Sequence, residues 1–226
     1  MSLAFNLVTG SIKVIFGVIC KVDTEPIHRI PTEGPLILVC NHINFLEAPV
    51  MYSHLQPRRL TGLAKAETWD DPLLGPLFSL WEAIPVRRGE ADLEALRMAW
   101  KALEQGKILA IAPEGTRSGD GRLMRGHPGI VPLALHANYP LLPVAYFGHE
   151  VFPQNIRHLQ RTPFHVRVGR KFTIKPPASR LNSVQRQAIT DEIMYQLAML
   201  LPENNRGFYS QVECATTDWL VFAGEQ

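Results

Sequence analysis

What this chain lacks narrows its chemistry before any motif is read. Its 226 residues hold three cysteines, Cys20, Cys40 and Cys214, with no CxxC pair. An odd, scattered set argues against a disulfide framework or a cysteine zinc site and fits a reducing compartment. Charge imbalance is also missing: 23 basic against 21 acidic residues leave a formal net charge of +2. So slight a surplus gives no ground for expecting nucleic acid as a partner. There is no GxSxG elbow, GxGxxG turn, GxxxxGK[ST] loop or HExxH helix. Serine-hydrolase, dinucleotide, P-loop and zincin chemistries therefore have no foothold, and no metal site is expected. Internal repeats and low-complexity tracts are absent too. What is present is a globular composition, 46% hydrophobic and 19% charged, at a length suited to one large domain.

The N-terminus approaches a membrane span without being one. "LAFNLVTGSIKVIFGVIC" (3–20) falls just short of the roughly 20 apolar residues a span requires. Lys13 sits in its middle, where a cation costs about 2.5–3.5 kcal/mol on insertion. Asn6, Gly10, Lys13 and Gly17 recur at helical spacing and draw one narrow polar stripe on an apolar helix. A helix lying in the membrane interface fits this pattern best, with a core helix or a span as the other readings. A cleaved signal peptide fits poorly, since no basic residue precedes the stretch and no A-x-A site follows it. We expect residues 1–22 to be a membrane-associating segment and residues 23–226 the main domain.

Beyond it, apolar runs alternate with helical patterns. Strands are expected at 35–41, 60–65, 83–88, 107–113 and 140–148, with an edge strand or hairpin at 164–174. Helices are expected at 46–55, 128–137 and 183–201, the last with Val184, Ile189, Ile193, Leu197 and Leu200 as its apolar stripe. Pro76 should split 72–81 into two short turns. Leu93, Leu96, Trp100 and Leu103 mark the clearest helix, closed by Gly106. "IKPPAS" (174–179) reads as a surface connection. The alternation implies an α/β domain with a central, mostly parallel sheet flanked by helices.

Three stretches follow strands and could carry chemistry. "NHINFLEAP" (41–49) puts Glu47 five places after His42. Histidine is the side chain suited to proton transfer near neutrality, and a carboxylate one helical turn away could orient it. The alternative is a turn capped by Asn44 that happens to hold a histidine. "APEGTRSGDGR" (112–122) offers Gly115 for close backbone approach, then Thr116 and Arg117 as hydroxyl and cation for an anion. A polar turn whose Glu114 and Arg117 pair internally is the other reading. "IPVRRG" (84–89) ends a strand in two arginines, the usual fate of which is a solvated turn. His127, His136, His149, His158 and His165 lack ligand spacing and read as structural or surface residues.

In this order, the stretches resemble the PlsC-like lysophospholipid acyltransferase family. Asn41 and His42 match its NHxxxxD block, with Glu47 where the aspartate belongs. "AKAE" (64–67) is similar to its AKxE stretch, Arg88 to its strand-ending arginine, Pro113–Ser118 to its PEGTRS block in full, and "LLPV" to its fourth block. "LLPENNRGFY" looks like its C-terminal end. The resemblance implies an O-acyltransferase of phospholipid synthesis. His42 and Glu47 would be catalytic; Asn41, Lys65, Arg88, Glu114, Gly115, Thr116 and Arg117 would bind substrate. Acyl-CoA or an acyl carrier protein would be co-substrate with no cofactor, and 1-acyl-sn-glycerol 3-phosphate the acceptor at the cytoplasmic face of a membrane. His127 stands where many members carry lysine, so another lysolipid or glycerol 3-phosphate is a second acceptor class. A noncatalytic lipid-binding protein and an acceptor-independent thioesterase are rival readings.

Overall fold

The computed structural model describes residues 3–87 and 92–223. Helix α1 (Leu3–Ile19) runs into strand β1 (Cys20–Val22). Then come β2 (Leu36–Cys40), α2 (Glu47–His54), β3 (Leu60–Lys65), α3 (Leu74–Leu80), β4 (Ile84–Val86), α4 (Leu93–Glu104) and β5 (Ile108–Ile111). After them follow α5 (Ile130–Leu135), β6 (Leu141–Phe147), α6 (Phe152–Arg157), β7 (Thr162–Val168), β8 (Phe172–Ile174), α7 (Ser183–Ala198) and β9 (Leu220–Phe222).

These strands form one sheet in the order β1-β7-β6-β2-β5-β3-β4, with β8 joining β6 and β9 joining β8. Strands β2 to β6 are mutually parallel, and β7 runs antiparallel to β6. β2 sits centrally, Leu38 lying opposite Ala110 on one side and Leu142 on the other. Every residue of β2 is buried, because a parallel strand covered on both faces needs apolar side chains in both directions. Alternation then sorts the core. Ile37, Val39, Leu109, Ile111 and Leu141 face α4, α5 and α7. Leu36, Leu38, Cys40, Ile108 and Val144 pack with Phe16 of α1, Val50 of α2 and Trp81 after α3.

The mostly parallel sheet expected from the alternation is present, and several details differ. Residues 72–81 hold one helix: Pro76 falls at its third position, where its missing N–H forfeits no helical bond. β7 and β8 do not form a hairpin, since each pairs with β6 instead. Nor is β7 an edge, because β1 pairs along its outer side, Cys20 opposite Thr162. The buried face of α4 is Ala95, Ala99, Ala102 and Leu103, while Leu93 is 61% exposed. Small side chains let that helix lie close to the sheet, so the larger Leu96 and Trp100 pack only at its flank. In α7, Val184 is exposed and Leu200 lies past the helix end.

Helix α1 buries Thr9 and Phe16 and turns Leu3, Leu7, Val14, Ile15 and Val18 outward. Its polar stripe does not face open solvent alone: Asn6, Gly10 and Lys13 line a groove against Ser53, Gln56, Pro57 and Arg59. Among the described residues no helix is long and apolar enough to cross a membrane.

The α4 packing is checkable by thermal unfolding. Ala99→Leu should overpack the helix–sheet contact and cost about 1–3 kcal/mol. Leu93→Ser, on the exposed face, should stay within about 0.5 kcal/mol of the parent.

Candidate active site

Parallel neighbours end at the same edge, so the loops leaving β2 and β5 emerge side by side, Val39 opposite Ile111. The two sequence motifs are then stitched together. Ser118 N donates to His42 O at 2.8 Å and Gly119 N to Ile43 O at 2.9 Å. His42 N donates to Glu114 Oε1 at 2.8 Å, and Met124 N to Glu114 Oε2 at 2.9 Å. Glu114 is buried. Burial pushes its carboxyl up to about 7, although the backbone N–H groups of Met124 and His42 pull the other way. It therefore holds the His42 backbone and fixes the loop beside that histidine.

Asn41 is likewise bonded to backbone. Its side-chain amide donates to Tyr146 O at 2.8 Å and accepts from Tyr146 N at 2.7 Å. Both ends of the amide are occupied, and the residue is buried. Asn41 is a clamp between β2 and β6.

Glu47 opens α2 and folds its side chain back over the preceding turn. Oε1 accepts from Ile43 N at 2.8 Å, Asn44 N at 2.9 Å and His149 Nε2 at 2.6 Å. Oε2 receives His42 Nδ1 at 3.2 Å. The glutamate side chain spans this reach from the first helical position. Burial alone would raise this carboxyl, but hydrogen bonds and charge from His149 and His42 reverse the shift and hold it at about 2. A carboxylate on Nδ1 fixes the tautomer with the proton there and leaves the lone pair on Nε2. The His42 side chain is 23% exposed, and Nε2 has no hydrogen-bond partner among the described residues. The pair has the geometry of a general base and its orienting acid.

His149 was missed. It stands just past β6, fully buried, its ring stacked on Phe164 at 4.3 Å between centroids. Its Nδ1 has no partner among the described residues. The only signal in the sequence was its place after a strand that also ends at this edge.

Gly115 has φ +69°, and a Cβ there would lie 3.1 Å from His127 Cδ2. His127 N donates to Pro113 O at 2.8 Å, so that histidine lies against the PEGT turn. Thr116 and Arg117 are exposed beside it. Lys65 ends β3 at the same edge, half exposed and 3.3 Å from Glu67. Arg88 lies outside the described residues; β4, which precedes it, also ends at this edge.

Residues 21–147, more than half of the chain, match the family model described as Acyltransferase. The chain belongs to the acyltransferase family. It is 35% identical over 120 residues to a 1-acyl-sn-glycerol-3-phosphate acyltransferase of Limnanthes alba, covering 52% of this chain and 42% of that one. It is 34% identical over 113 residues to a lyso-ornithine lipid O-acyltransferase of Pseudomonas aeruginosa, covering 49% and 42%. The chain spans about half the length of the curated relatives it matches. The crystal structure of the 1-acyl-sn-glycerophosphate acyltransferase PlsC from Thermotoga maritima aligns with a TM-score of 0.62 at 21% identity, over 84% of this chain and 76% of that one. The acyltransferase fold is thus shared, including the helix-flanked, mostly parallel sheet.

Glu47 contributes to the acid limb of stability. Its folded pKa is depressed, so its contribution is complete above the unfolded value near 4.5 and is lost as pH falls through about 2. That window corresponds to about 3 kcal/mol. Denaturant titrations of Glu47→Gln should show a lower plateau at neutral pH and a flatter decline between those limits; an unchanged acid limb would contradict the assignment.

Proposed function

We propose that this acyltransferase moves a fatty acyl group from a thioester, acyl-CoA or acyl carrier protein, to the free hydroxyl of a lysophospholipid. Our first choice of acceptor is 1-acyl-sn-glycerol 3-phosphate, giving phosphatidate. The observation that carries the reading is the unoccupied Nε2 of His42, backed on Nδ1 by buried Glu47, in a family member without a serine elbow. The acceptor hydroxyl gives its proton to Nε2, and its oxygen attacks the thioester carbonyl directly. The carbonyl electrons move to oxygen, then return as the C–S bond breaks. The leaving thiolate takes the proton from the imidazolium, which Glu47 stabilises meanwhile. No acyl-enzyme forms.

The acceptor phosphate is assigned to Arg88 and Arg117, with Lys65 in support, and the glycine turn Gly115–Thr116 shapes that pocket. Guanidinium groups suit phosphate because they donate in pairs. Glu114 and Asn41 hold the backbone of the site. His149 is a positioning residue that acts through Glu47. The outward side chains of α1 support docking at a membrane surface, on the cytoplasmic face, where lipid acceptors lie.

A second acceptor is favoured by one observation each from relatives and sequence. A relative of comparable identity is named for a lyso-ornithine lipid, and His127 occupies the place of the family's common lysine. An acceptor panel decides between them: lysophosphatidate, glycerol 3-phosphate and a neutral or ornithine lysolipid, each with acyl-CoA and acyl carrier protein, followed by thiol release. Thiol release without dependence on acceptor would identify a thioesterase. None with any acceptor would identify a lipid-binding protein.

His42→Ala should lower turnover by roughly 10²–10⁴-fold, the usual contribution of a general base; full activity would end the mechanism. His149→Phe keeps the stack on Phe164 but removes the donor to Glu47. It should lower kcat by roughly 10- to 100-fold, the worth of one hydrogen bond to a charge, with KM little changed. His149→Gln, which restores an N–H, should recover part of that loss, whereas a purely packing role predicts the reverse order.

A further inference from the structure

We infer that the turn after α6, residues 158–161, is a second bilayer-inserting element beside α1, with Leu159 the side chain that enters the lipid. The inference rests on the membrane docking of the preceding reading and adds a contact that α1 does not supply. Helix α6 ends in a left-handed residue: Gln160 N donates to Asn155 O at 2.9 Å and Leu159 N to Ile156 O at 3.3 Å. Glycine is the usual occupant of such a position because its lack of a Cβ removes the clash. Here Leu159 holds it, at φ +54°. A bulky residue in that conformation is an outlier that calls for a reason. The fold does not provide one, since Leu159 is 93% exposed.

The surroundings name the occupant. Arg157, His158 and Arg161 flank the leucine, and Glu150 is the one acid between 149 and 163. That acid is turned inward, accepting from Gly148 N at 2.7 Å. An apolar tip between the guanidinium groups of Arg157 and Arg161 matches an anionic phospholipid surface, where the leucine enters the acyl boundary and the arginines lie at headgroup level. Val151 and Ile156 of the same segment are also exposed. The turn is tied to α1, because Arg161 Nη2 donates to Gly17 O at 2.7 Å and Cys20 O at 2.8 Å. Helix α6, which leads into the turn, meets the His42 loop at its other end: Phe45, half exposed, meets the Phe152 ring edge-on at 5.5 Å. An inserted Leu159 would therefore bring the mouth of the site to the lipid surface.

The test is co-sedimentation of the full chain with vesicles of phosphatidylcholine plus phosphatidylglycerol and with vesicles of phosphatidylcholine alone. Leu159→Gly relieves the left-handed strain, so its Tm should rise. Its binding to the anionic vesicles should nonetheless fall roughly tenfold, the worth of one buried leucine. Leu159→Asp should lose more, and the parent should bind the neutral vesicles more weakly. Turnover on a short-chain, water-soluble acceptor should not change. Undiminished vesicle binding by Leu159→Gly overturns the proposal, and so does a lower Tm, which would place the leucine in the packing. A Val14→Ser/Val18→Ser variant separates the two readings. If it alone loses binding, α1 docks without the turn; if the parent binds no vesicles at all, the membrane reading itself falls. A parent dimer that Leu159→Gly dissociates would reassign the surface to a second copy, and overturn the proposal.

Discussion

Four hydrogen-bond donors converge on the buried carboxylate of Glu47: the N–H groups of Ile43 and Asn44, and a ring nitrogen each from His42 and His149. Taking a carboxylate out of water costs several kcal/mol unless such donors replace the lost solvent. Two of them belong to the turn that carries His42. The turn is thereby wrapped around the group that orients its own histidine, and loop conformation and imidazole direction depend on one charge. The fourth donor comes from the end of β6, so the same charge draws a neighbouring strand end into the site.

The rest of the edge follows the same logic. The Asn41 amide joins β2 to β6 through both main-chain groups of Tyr146, and Glu114 joins β2 to the β5 loop through His42 N. Each is a buried polar side chain satisfied by backbone, which is how such groups are tolerated inside a fold. Helix α1 reaches this edge too. Its last residue precedes Cys20, which pairs with Thr162 where β7 begins beyond the end of β6. The helix with the apolar outer face therefore ends at the same sheet edge from which the His42 loop leaves, three strand positions away.

Much of this was legible in the residues. The unbroken apolar run of β2 announced a strand buried on both faces. The ordered blocks placed His42, Glu47 and the PEGTRS turn at strand ends. What stayed hidden has identifiable causes. β1 and β9 are three-residue strands whose pairing comes from distant partners, and so short a pattern carries no period. The inward face of α4 is alanine apart from Leu103, and hydrophobic spacing cannot separate alanine from a surface. Asn41 and Glu114 entered as substrate-binding residues through the family resemblance, and their bonds to distant backbone groups are visible only in the tertiary structure.

By itself the sequence determined the α/β class and marked His42, Glu47 and the turn beside them as candidates, because each is encoded in contiguous residues with a local period or spacing. Tertiary structure alone decided that Glu47 meets the His42 ring, by folding it back onto its own turn. It also decided that His149, 102 residues further along, completes the site. Sheet order brings the end of β6 beside the end of β2, and no local pattern records which strands will be neighbours.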